Sequence, residues 1–142
     1  MKTVAQKMGI KEGSNAYFKD APSDAVAALN LPNIELGELL TGEFDYIHLF
    51  VKQQSEQEKF FPLLKQHLNI NGMLWVSWPK GGQLGTDLSL RIVLSTGYNF
   101  GLVESTCLRI DSIWSAIKFT HPKKGKIYNN SHAKLQSRTT NR

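Results

Sequence analysis

The chain has a single cysteine and no closely spaced histidines. Because Cys107 is alone, no disulfide framework can form within the chain, and a reducing compartment is the expected environment. The histidines lie far apart, without the short spacing that zinc ligands show, so no metal site is predicted. They are His48, His67, His121 and His132. The fold must therefore be stabilised by its apolar core.

Long hydrophobic runs are also missing. No stretch reaches the roughly 20 apolar residues that a membrane helix needs. The first seven residues lack the apolar centre of a signal peptide. We therefore expect a soluble, cytoplasmic protein with no membrane partner. With 142 residues, of which 41% are hydrophobic and 20% charged, the chain can bury one core.

Acidic residues are absent from Lys118 to the C terminus, where there are seven Lys and Arg. Residues 1–117 carry ten Lys and Arg against twelve Asp and Glu, so the net charge of +5 belongs to the tail. A basic tail can dock on phosphates or on an acidic partner, although a solubilising end has the same composition. The body lacks the basic, aromatic pattern of a nucleic-acid module, so nucleic acid is not an expected partner. We predict one domain at residues 1–122 and a basic, polar tail at residues 123–142.

The most informative stretch is an apolar run with two tryptophans, Met73 to Trp78, which ends at Pro79. It predicts a buried central strand, with Trp78 on the face opposite Trp75. The glycine-rich connection Lys80-Gly81-Gly82-Gln83-Leu84-Gly85-Thr86-Asp87 follows and contains a helix-start signal. Phe44 to Val51 is also nearly continuously apolar, as is typical of a parallel strand covered on both faces.

Helix and strand patterns alternate along the rest of the chain. A capping box at Ser55 and Glu58 predicts a helix that begins there and ends near Leu68, before Asn69-Ile70-Asn71-Gly72. Its predicted buried stripe is Phe60, Leu63, Leu64, His67 and Leu68. Further helices are expected over residues 3–8 with Thr3 as cap and Gly9 as stop, over 24–29 with Ser23 as N-cap, and over 87–96 with Thr86 or Asp87 as cap and Gly97 as stop. Strands are expected over 14–19, 34–36, 100–110 and 113–120, the last two joined at Asp111-Ser112.

Alternating strands and helices imply right-handed crossovers between parallel strands. We therefore predict a three-layer α/β fold. Its sheet is mostly parallel and twisted, with about six strands, helices on both faces and a C-terminal antiparallel hairpin.

This order of elements over roughly residues 14–120 resembles the class I methyltransferase variant of the Rossmann fold, shortened by at least one strand–helix unit. The chain also resembles a family of small bacterial proteins known only as a domain of unknown function. The matching pieces are Leu49-Phe50-Val51, Leu74 to Lys80, Thr86-Asp87-Leu88, Asp111 with Trp114 to Phe119, Met8 to Gly13, and Ala21-Pro22. That second resemblance implies a shared fold and no particular reaction.

The methyltransferase resemblance implies a glycine-rich turn after the first strand, where the backbone approaches the cofactor closely. The equivalent turn here, Lys19-Asp20-Ala21-Pro22-Ser23, has no glycine. The acid expected at the end of the second strand is Glu35 or Glu38. We therefore predict no cofactor, and S-adenosylmethionine-dependent methyl transfer is an alternative function.

A small anionic ligand at the carboxyl edge of the sheet is the leading hypothesis. Open α/β sheets bind ligands beyond the carboxyl ends of their strands. Lysines, glycines and a helix start at that edge suit an anion. The predicted ligand-binding residues are Asp20, Lys52, Trp78, Lys80, Gly81, Gly82, Thr86, Asp87 and Lys118. A flexible connection in which Asp87 only caps a helix fits the same residues, and Lys118 either reaches solvent or meets an acid such as Asp87.

No pair of nucleophile and base stands out, so no catalytic residue is predicted. Ser77 has no histidine near it in the sequence. His48, between apolar residues in a strand, is expected to be packed and hydrogen-bonded, and Cys107 to be an inert core thiol. The leading function is thus a small Rossmann-like domain that binds an anion without catalysis. Methyl transfer and an interaction module that uses the basic tail are the alternatives, and a second copy of the chain is a candidate partner.

Overall fold

The computed structural model describes residues 1–123, 127–129 and 134–136. Its main sheet has six strands in the order β2-β1-β3-β4-β6-β5. The strands are β1 (Asn15–Lys19), β2 (Glu35–Leu36), β3 (Phe44–Phe50), β4 (Leu68–Pro79), β5 (Val103–Arg109) and β6 (Trp114–Thr120). The helices are α1 (Val4–Met8), α2 (Ser23–Leu29), α3 (Gln54–Lys65) and α4 (Leu90–Asn99). Two short strands, β7 (Ile127–Asn129) and β8 (Lys134–Gln136), form a separate antiparallel pair.

Strands β2, β1, β3 and β4 are parallel, and β6 runs antiparallel between β4 and β5. The predicted α/β class, the parallel sheet and the C-terminal hairpin are therefore confirmed. From β1 the chain moves outward to β2 and then returns to β3 on the other side of β1. The strand order thus reverses between β1 and β3, which makes their carboxyl ends the switch point of the sheet.

Two apolar clusters fill the space between the sheet and its helices. Helices α1 and α2 cover one face, where Tyr46 and Trp75 are fully buried. Helices α3 and α4 cover the other face, where Leu74, Val76 and Trp78 lie. The sheet is therefore the middle layer of three, and Trp75 and Trp78 lie on opposite faces as predicted. No helix in the described part of the chain is long and apolar enough to cross a membrane.

Local signals at the first helix act as expected. Thr3 caps α1 by accepting a hydrogen bond from the Gln6 amide at 3.1 Å, and Gly9 ends the helix in the left-handed conformation. At α2 the prediction is wrong by one residue, because Pro22 is the N-cap and Ser23 is the first helical residue. Proline holds φ near the value observed at this extended position, −68°.

The start and the buried stripe of α3 also differ from the prediction. Gln53 and Glu56 form the capping box instead of Ser55 and Glu58. The residues buried on α3 are Gln57, Phe61 and Leu64, whereas Leu63 is 47% exposed. Gln57 can occupy a core position because its side chain donates a hydrogen bond to the Val93 carbonyl at 3.0 Å. Because one residue of the buried stripe is polar, the hydrophobic pattern of the sequence does not show which face of α3 is buried.

Strand β4 begins earlier than predicted, at Leu68. Phe44 pairs with Leu68 and Tyr46 with Met73, so residues 69–72 form an irregular insertion in the β3–β4 ladder. At Gly72 an added Cβ would lie 3.0 Å from the carbonyl oxygens of Phe44 and Asp45. A side chain at this point would therefore crowd the backbone of β3, and glycine avoids that contact.

Helix α4 lies three residues later than its predicted span. Ser89 is its N-cap and accepts a hydrogen bond from the Ile92 amide at 3.4 Å. Gly97, predicted to stop the helix, lies inside it, where an added Cβ would be 2.1 Å from the Phe119 ring. This glycine allows close helix–sheet packing.

The β5–β6 turn agrees with prediction, since Asp111 Oδ1 accepts hydrogen bonds from the amides of Ile113 and Trp114 at 2.9 and 2.8 Å.

Candidate functional site

Three of the predicted residues meet at the carboxyl edge beside α3. The Thr86 hydroxyl donates a hydrogen bond to the Lys52 carbonyl and accepts one from the Leu88 amide at 3.0 Å. Asp87 Oδ1 accepts a hydrogen bond from the Gln54 amide at 2.8 Å. Asp87 therefore stabilises the first turn of α3, where a carboxylate is also favoured by the helix dipole, and does not cap α4. The contacts connect the end of β3 to the segment that leads into α4.

The glycine-rich connection over Lys80–Gly85 consists of tight turns, and the backbone of residues 81–84 is not helical. Gly81 and Gly82 have φ of 63° and 76°. The Gln83 side-chain amide donates hydrogen bonds to the carbonyls of Lys80 and Ser112, both at 3.1 Å. The segment is therefore tied to the β5–β6 turn, in contrast to the free, flexible connection that its composition allows.

Beside this segment lies a cleft of about 340 Å³, called here the Lys80 cleft. Four predicted ligand-binding residues line it, together with residues from the start of α4 and from β5 and β6. The four are Trp78, Lys80, Gly81 and Gly82. Trp78 is only 4% exposed and belongs to the core cluster, as expected for a residue of the predicted buried strand. The cleft offers a lysine and an aromatic wall to a small ligand.

Cys107 also lines the Lys80 cleft, and the prediction that it is a core residue is wrong. It is exposed on β5, which among the described residues has a strand on one side only. Its position inside an apolar run indicates burial, but the side chains of this edge strand are only partly covered by the rest of the fold. Partial burial of the thiol, followed by the charge of Glu104, raises the pKa of Cys107 and disfavours the reactive thiolate.

Asp20 lies at the switch point, immediately after β1. In the sheet register Lys19 pairs with Leu49, which brings Asp20 beside the end of β3. Its φ is 58°, a left-handed conformation that glycine adopts readily and that aspartate tolerates better than most residues. The Asp20 carboxylate is 3.9 Å from the Lys19 ammonium, which lies 4.6 Å from the centre of the Phe60 ring.

Lys118 does not join these residues. It pairs with Trp75 in the middle of the sheet and lines a different cleft, at the amino edge of the parallel strands, together with Lys11 and Asp45. The hypothesis that Lys118 meets Asp87 is wrong, because Asp87 lies at the opposite edge, bonded to the Gln54 amide. Strand β6 runs antiparallel to β4, so residues late in β6 approach the amino edge of the sheet.

A buried chain of polar side chains links β3 and β4. The Tyr46 hydroxyl is 2.6 Å from His48 Nδ1, and His48 Nε2 is 2.6 Å from the Ser77 hydroxyl. All three residues are 0% exposed. Burial lowers the pKa of His48 to about 3 and raises the pKa of Tyr46. The ring is therefore neutral near pH 7, and no substrate can reach the Ser77 hydroxyl.

The prediction that His48 is packed and hydrogen-bonded is confirmed, but its partner Ser77 was not predicted. The two residues are far apart in the chain, and only the β3–β4 register brings them together. The signal that could have found the pair is that both lie on the carboxyl half of a buried parallel strand. Among the described residues, no group of three or more His, Cys, Asp and Glu side chains could hold a metal ion.

No family model and no curated protein sequence matches this chain. Solved structures do match its fold. A ribosomal protein L11 methylase from Lactobacillus delbrueckii subsp. bulgaricus has a TM-score of 0.59 at 12% identity, with 84% of this chain and 76% of that one covered. A precorrin-6y C5,15-methyltransferase from Geobacter metallireducens GS-15 has a TM-score of 0.57 at 10% identity, with 84% and 86% covered.

A magnesium protoporphyrin IX methyltransferase from Synechocystis PCC 6803, solved with bound SAH, has a TM-score of 0.54 at 10% identity, with 82% of this chain and 78% of that one covered. Identities this low carry information on architecture alone. The six-stranded sheet, its switch point between β1 and β3 and its terminal hairpin are therefore those of the methyltransferase-like Rossmann fold.

Proposed function

We propose that this chain is a divergent methyltransferase that binds S-adenosylmethionine at the switch point, in the crevice formed by the carboxyl ends of β1 and β3. Open α/β sheets bind their ligands where the strand order reverses. Several proteins with this fold are methyltransferases, and one of them was solved with bound SAH. The fold supports the location of the ligand. Support for S-adenosylmethionine as the ligand comes from the residues around that location.

The observation that carries the proposal is the left-handed backbone of Asp20. Cofactor-binding turns of this kind use glycine where the chain must turn sharply and approach the ligand. This chain has no glycine in the β1–α2 turn, yet Asp20 adopts φ of 58° there. The backbone conformation is thus of the kind that a glycine would supply, although the sequence motif is missing.

The charges around the crevice fit the two ends of the cofactor. The Asp20 carboxylate can attract the amino group and the positive sulfonium of S-adenosylmethionine. Glu38, exposed two residues beyond the end of β2, can accept hydrogen bonds from ribose hydroxyls, as acids in this position do in related sheets. Pro22 offers no backbone N–H to the ligand. When bound, the cofactor supplies an electrophilic methyl group on its sulfur.

Two substitutions at Asp20 separate the role of the backbone from that of the carboxylate. Isothermal titration should show that Asp20→Gly still binds S-adenosylmethionine, because glycine adopts the left-handed conformation without strain. Asp20→Val should weaken binding at least about tenfold, because a β-branched residue resists positive φ. Asn30 is the matched control: it has φ of 54° at the end of α2, so Asn30→Val introduces similar strain away from the crevice and should leave the affinity unchanged.

Absence of any heat of binding between the wild-type protein and S-adenosylmethionine or S-adenosylhomocysteine would overturn the proposal. Equal weakening by Asp20→Val and Asn30→Val would do the same, since both would then act through overall stability alone.

The Lys80 cleft supports a second candidate, the binding of a small anion without catalysis. Its lysine and two glycines with positive φ surround a volume that a phosphate group can enter. A ligand that binds the native state raises the melting temperature. Nucleotides and sugar phosphates should therefore raise the Tm of the wild-type protein and not that of Lys80→Met. A response that survives Lys80→Met would assign the anion to another site.

A further inference from the structure

A second cleft lies at the opposite edge of the sheet, where the parallel strands begin. This amino-edge cleft has a volume of about 500 Å³. The α1–β1 connection and the first residues of β3 and β4 form its walls, and the end of β6 lies beside them. Its charged and polar lining includes Lys11, Glu12, Asp45, Asn71 and Lys118. None of these residues lies at the carboxyl edge, so the cleft is independent of the proposed methyltransferase site.

Lys118 occupies a position where the strand pattern favours an apolar side chain. Trp114 and Ala116 precede it on the same face of β6, and both are buried in the cluster under α1 and α2. Its neighbour in the register is Trp75, which is 0% exposed. Lys118 is only partly exposed and lines the cleft, so this residue lies at the border between the core cluster and the cleft.

The amino-edge cleft contains charges of both signs that do not pair with one another. Lys11 and Lys118 contribute two cations, and Glu12 and Asp45 contribute two carboxylates. No ion pair joins Lys11 or Lys118 to Glu12 or Asp45, in contrast to Lys19 and Asp20 at the opposite edge, which pair at 3.9 Å. The four charged residues therefore line the same cleft, but neither lysine is close enough to either acid to form an ion pair.

The carboxylates have protein partners but retain capacity for more. Asp45 accepts hydrogen bonds from the Asn15 amide at 3.2 Å and from Asn69 Nδ2 at 3.5 Å. Glu12 accepts one from Asn33 Nδ2 at 3.5 Å. A carboxylate has about four acceptor positions, so each acid can still bind a cationic group. A ligand with a carboxylate at one end and an ammonium at the other would complement both signs.

We propose that the amino-edge cleft binds a small zwitterion, an amino acid or a short peptide, with its carboxylate on Lys118 and its ammonium on Asp45. Charge-assisted hydrogen bonds of this kind are among the stronger polar contacts, and the partly buried Lys118 forms its contact at lower local dielectric than a surface lysine. A ligand with one charge alone satisfies half of the cleft and is repelled by the groups of its own sign.

Amide NMR tests the proposal on the full chain. The standard amino acids and the dipeptide glycylglycine are titrated in turn, and the amide signals of Gly9, Gly13 and Gly72 report on the cleft, since all three line it. At least one zwitterion should shift these signals in a saturable way. Acetate and methylamine, which each carry one of the two charges, should bind at least about tenfold more weakly.

Lys118→Met keeps an unbranched stem beside Trp75 and removes the charge, so it should reduce the affinity at least about tenfold. Lys59→Met is the matched control, because Lys59 is an exposed lysine on α3, across the sheet. It should bind like the wild type. The proposal is overturned if no zwitterion shifts the three glycine signals in the wild-type protein, or if acetate binds as tightly as the zwitterion. Equal affinities of Lys118→Met and Lys59→Met would also overturn it, and none of these results bears on S-adenosylmethionine at the other edge.

Discussion

At the scale of single residues, the Tyr46–His48–Ser77 chain places a titratable ring where water does not reach it. Both ring nitrogens of His48 have a partner at 2.6 Å, and the ring also stacks on Phe50 with centroids 4.3 Å apart. These neighbours can satisfy the hydrogen bonds of a neutral imidazole. A charged imidazolium would lose its hydration there and would have no carboxylate among these neighbours to compensate it. Stability should therefore depend on pH through this one residue.

Burial lowers the pKa of His48 from 6.5 to about 3 in the folded protein. The unfolded chain then binds more protons than the folded chain between these values, so the stability present above pH 6.5 is lost as pH falls toward 3. We expect the free energy of unfolding to drop by roughly 2 to 3 kcal/mol between about pH 7 and pH 4.5 from His48 alone. Urea unfolding at several pH values measures this drop.

His48→Gln provides the reference, because glutamine can bond the same neighbours and does not titrate. The variant should lose some stability near pH 7 and should show a much flatter dependence down to pH 4.5. If the wild type and His48→Gln lose stability in parallel, the histidine is not the group responsible.

Residue roles were predictable where they depend on neighbours in sequence. Thr3, Gly9 and Asp111 act through amides within a few residues, and each was assigned correctly. Gln57 and Ser77 act through partners on other elements, Val93 and His48. The hydrogen-bond partner of a buried glutamine or serine depends on how distant elements pack, so the sequence alone does not identify either partner.

At the scale of secondary-structure elements, α4 and β6 are held at close approach by Gly97. Substitution of this residue by alanine favours the helix by about 1 kcal/mol, yet the new Cβ would lie 2.1 Å from Cε1 of the buried Phe119 ring. The overlap should dominate, and we expect Gly97→Ala to lower the free energy of unfolding by about 2 kcal/mol. Chemical denaturation measures the change.

The double variant Gly97→Ala with Phe119→Leu isolates this contact, because leucine lacks the ring atoms Cε1 and Cζ that would meet the new Cβ. It should be more stable than the sum of the two single changes predicts. Ser95→Ala, on the exposed side of α4, should be close to neutral. Strict additivity of the two core changes would contradict the packing argument.

Strand β3 and the carboxyl half of β4 were predicted more accurately than α3 and α4, for a physical reason. These apolar runs are buried on both faces, so nearly every residue carries the signal, whereas the polar insertion at residues 69–72 hid the start of β4. Helices α3 and α4 bury one stripe only, and one buried glutamine or glycine shifts the apparent stripe by a residue or more. The true starts depend on Gln53 and Ser89, which compete with several equally good caps nearby.

At the scale of the whole molecule, alternation of strands and helices was enough to predict the layered sheet and its hairpin. It was not enough to predict which polar residues converge. Lys52, Thr86 and Asp87 meet because their segments leave the same edge of parallel strands, which the sequence implies. Lys118 was misassigned because the antiparallel direction of β6 reverses the edge at which its last residues emerge.

Two predicted partners of the molecule remain predictions. A partner of the basic tail would bind mostly through residues that lie outside the described part of the chain. A second copy of the chain would find a sheet edge at β5, which is unpaired within the described part of the chain.

The burial of all three tryptophans has a practical consequence. Trp75, Trp78 and Trp114 lie on the adjacent strands β4 and β6 and are at most 5% exposed. Their emission should be blue-shifted in the native protein, and a red shift should mark the separation of these two strands. Trp78 also borders the Lys80 cleft, so an occupant there could be detected by quenching without any added dye.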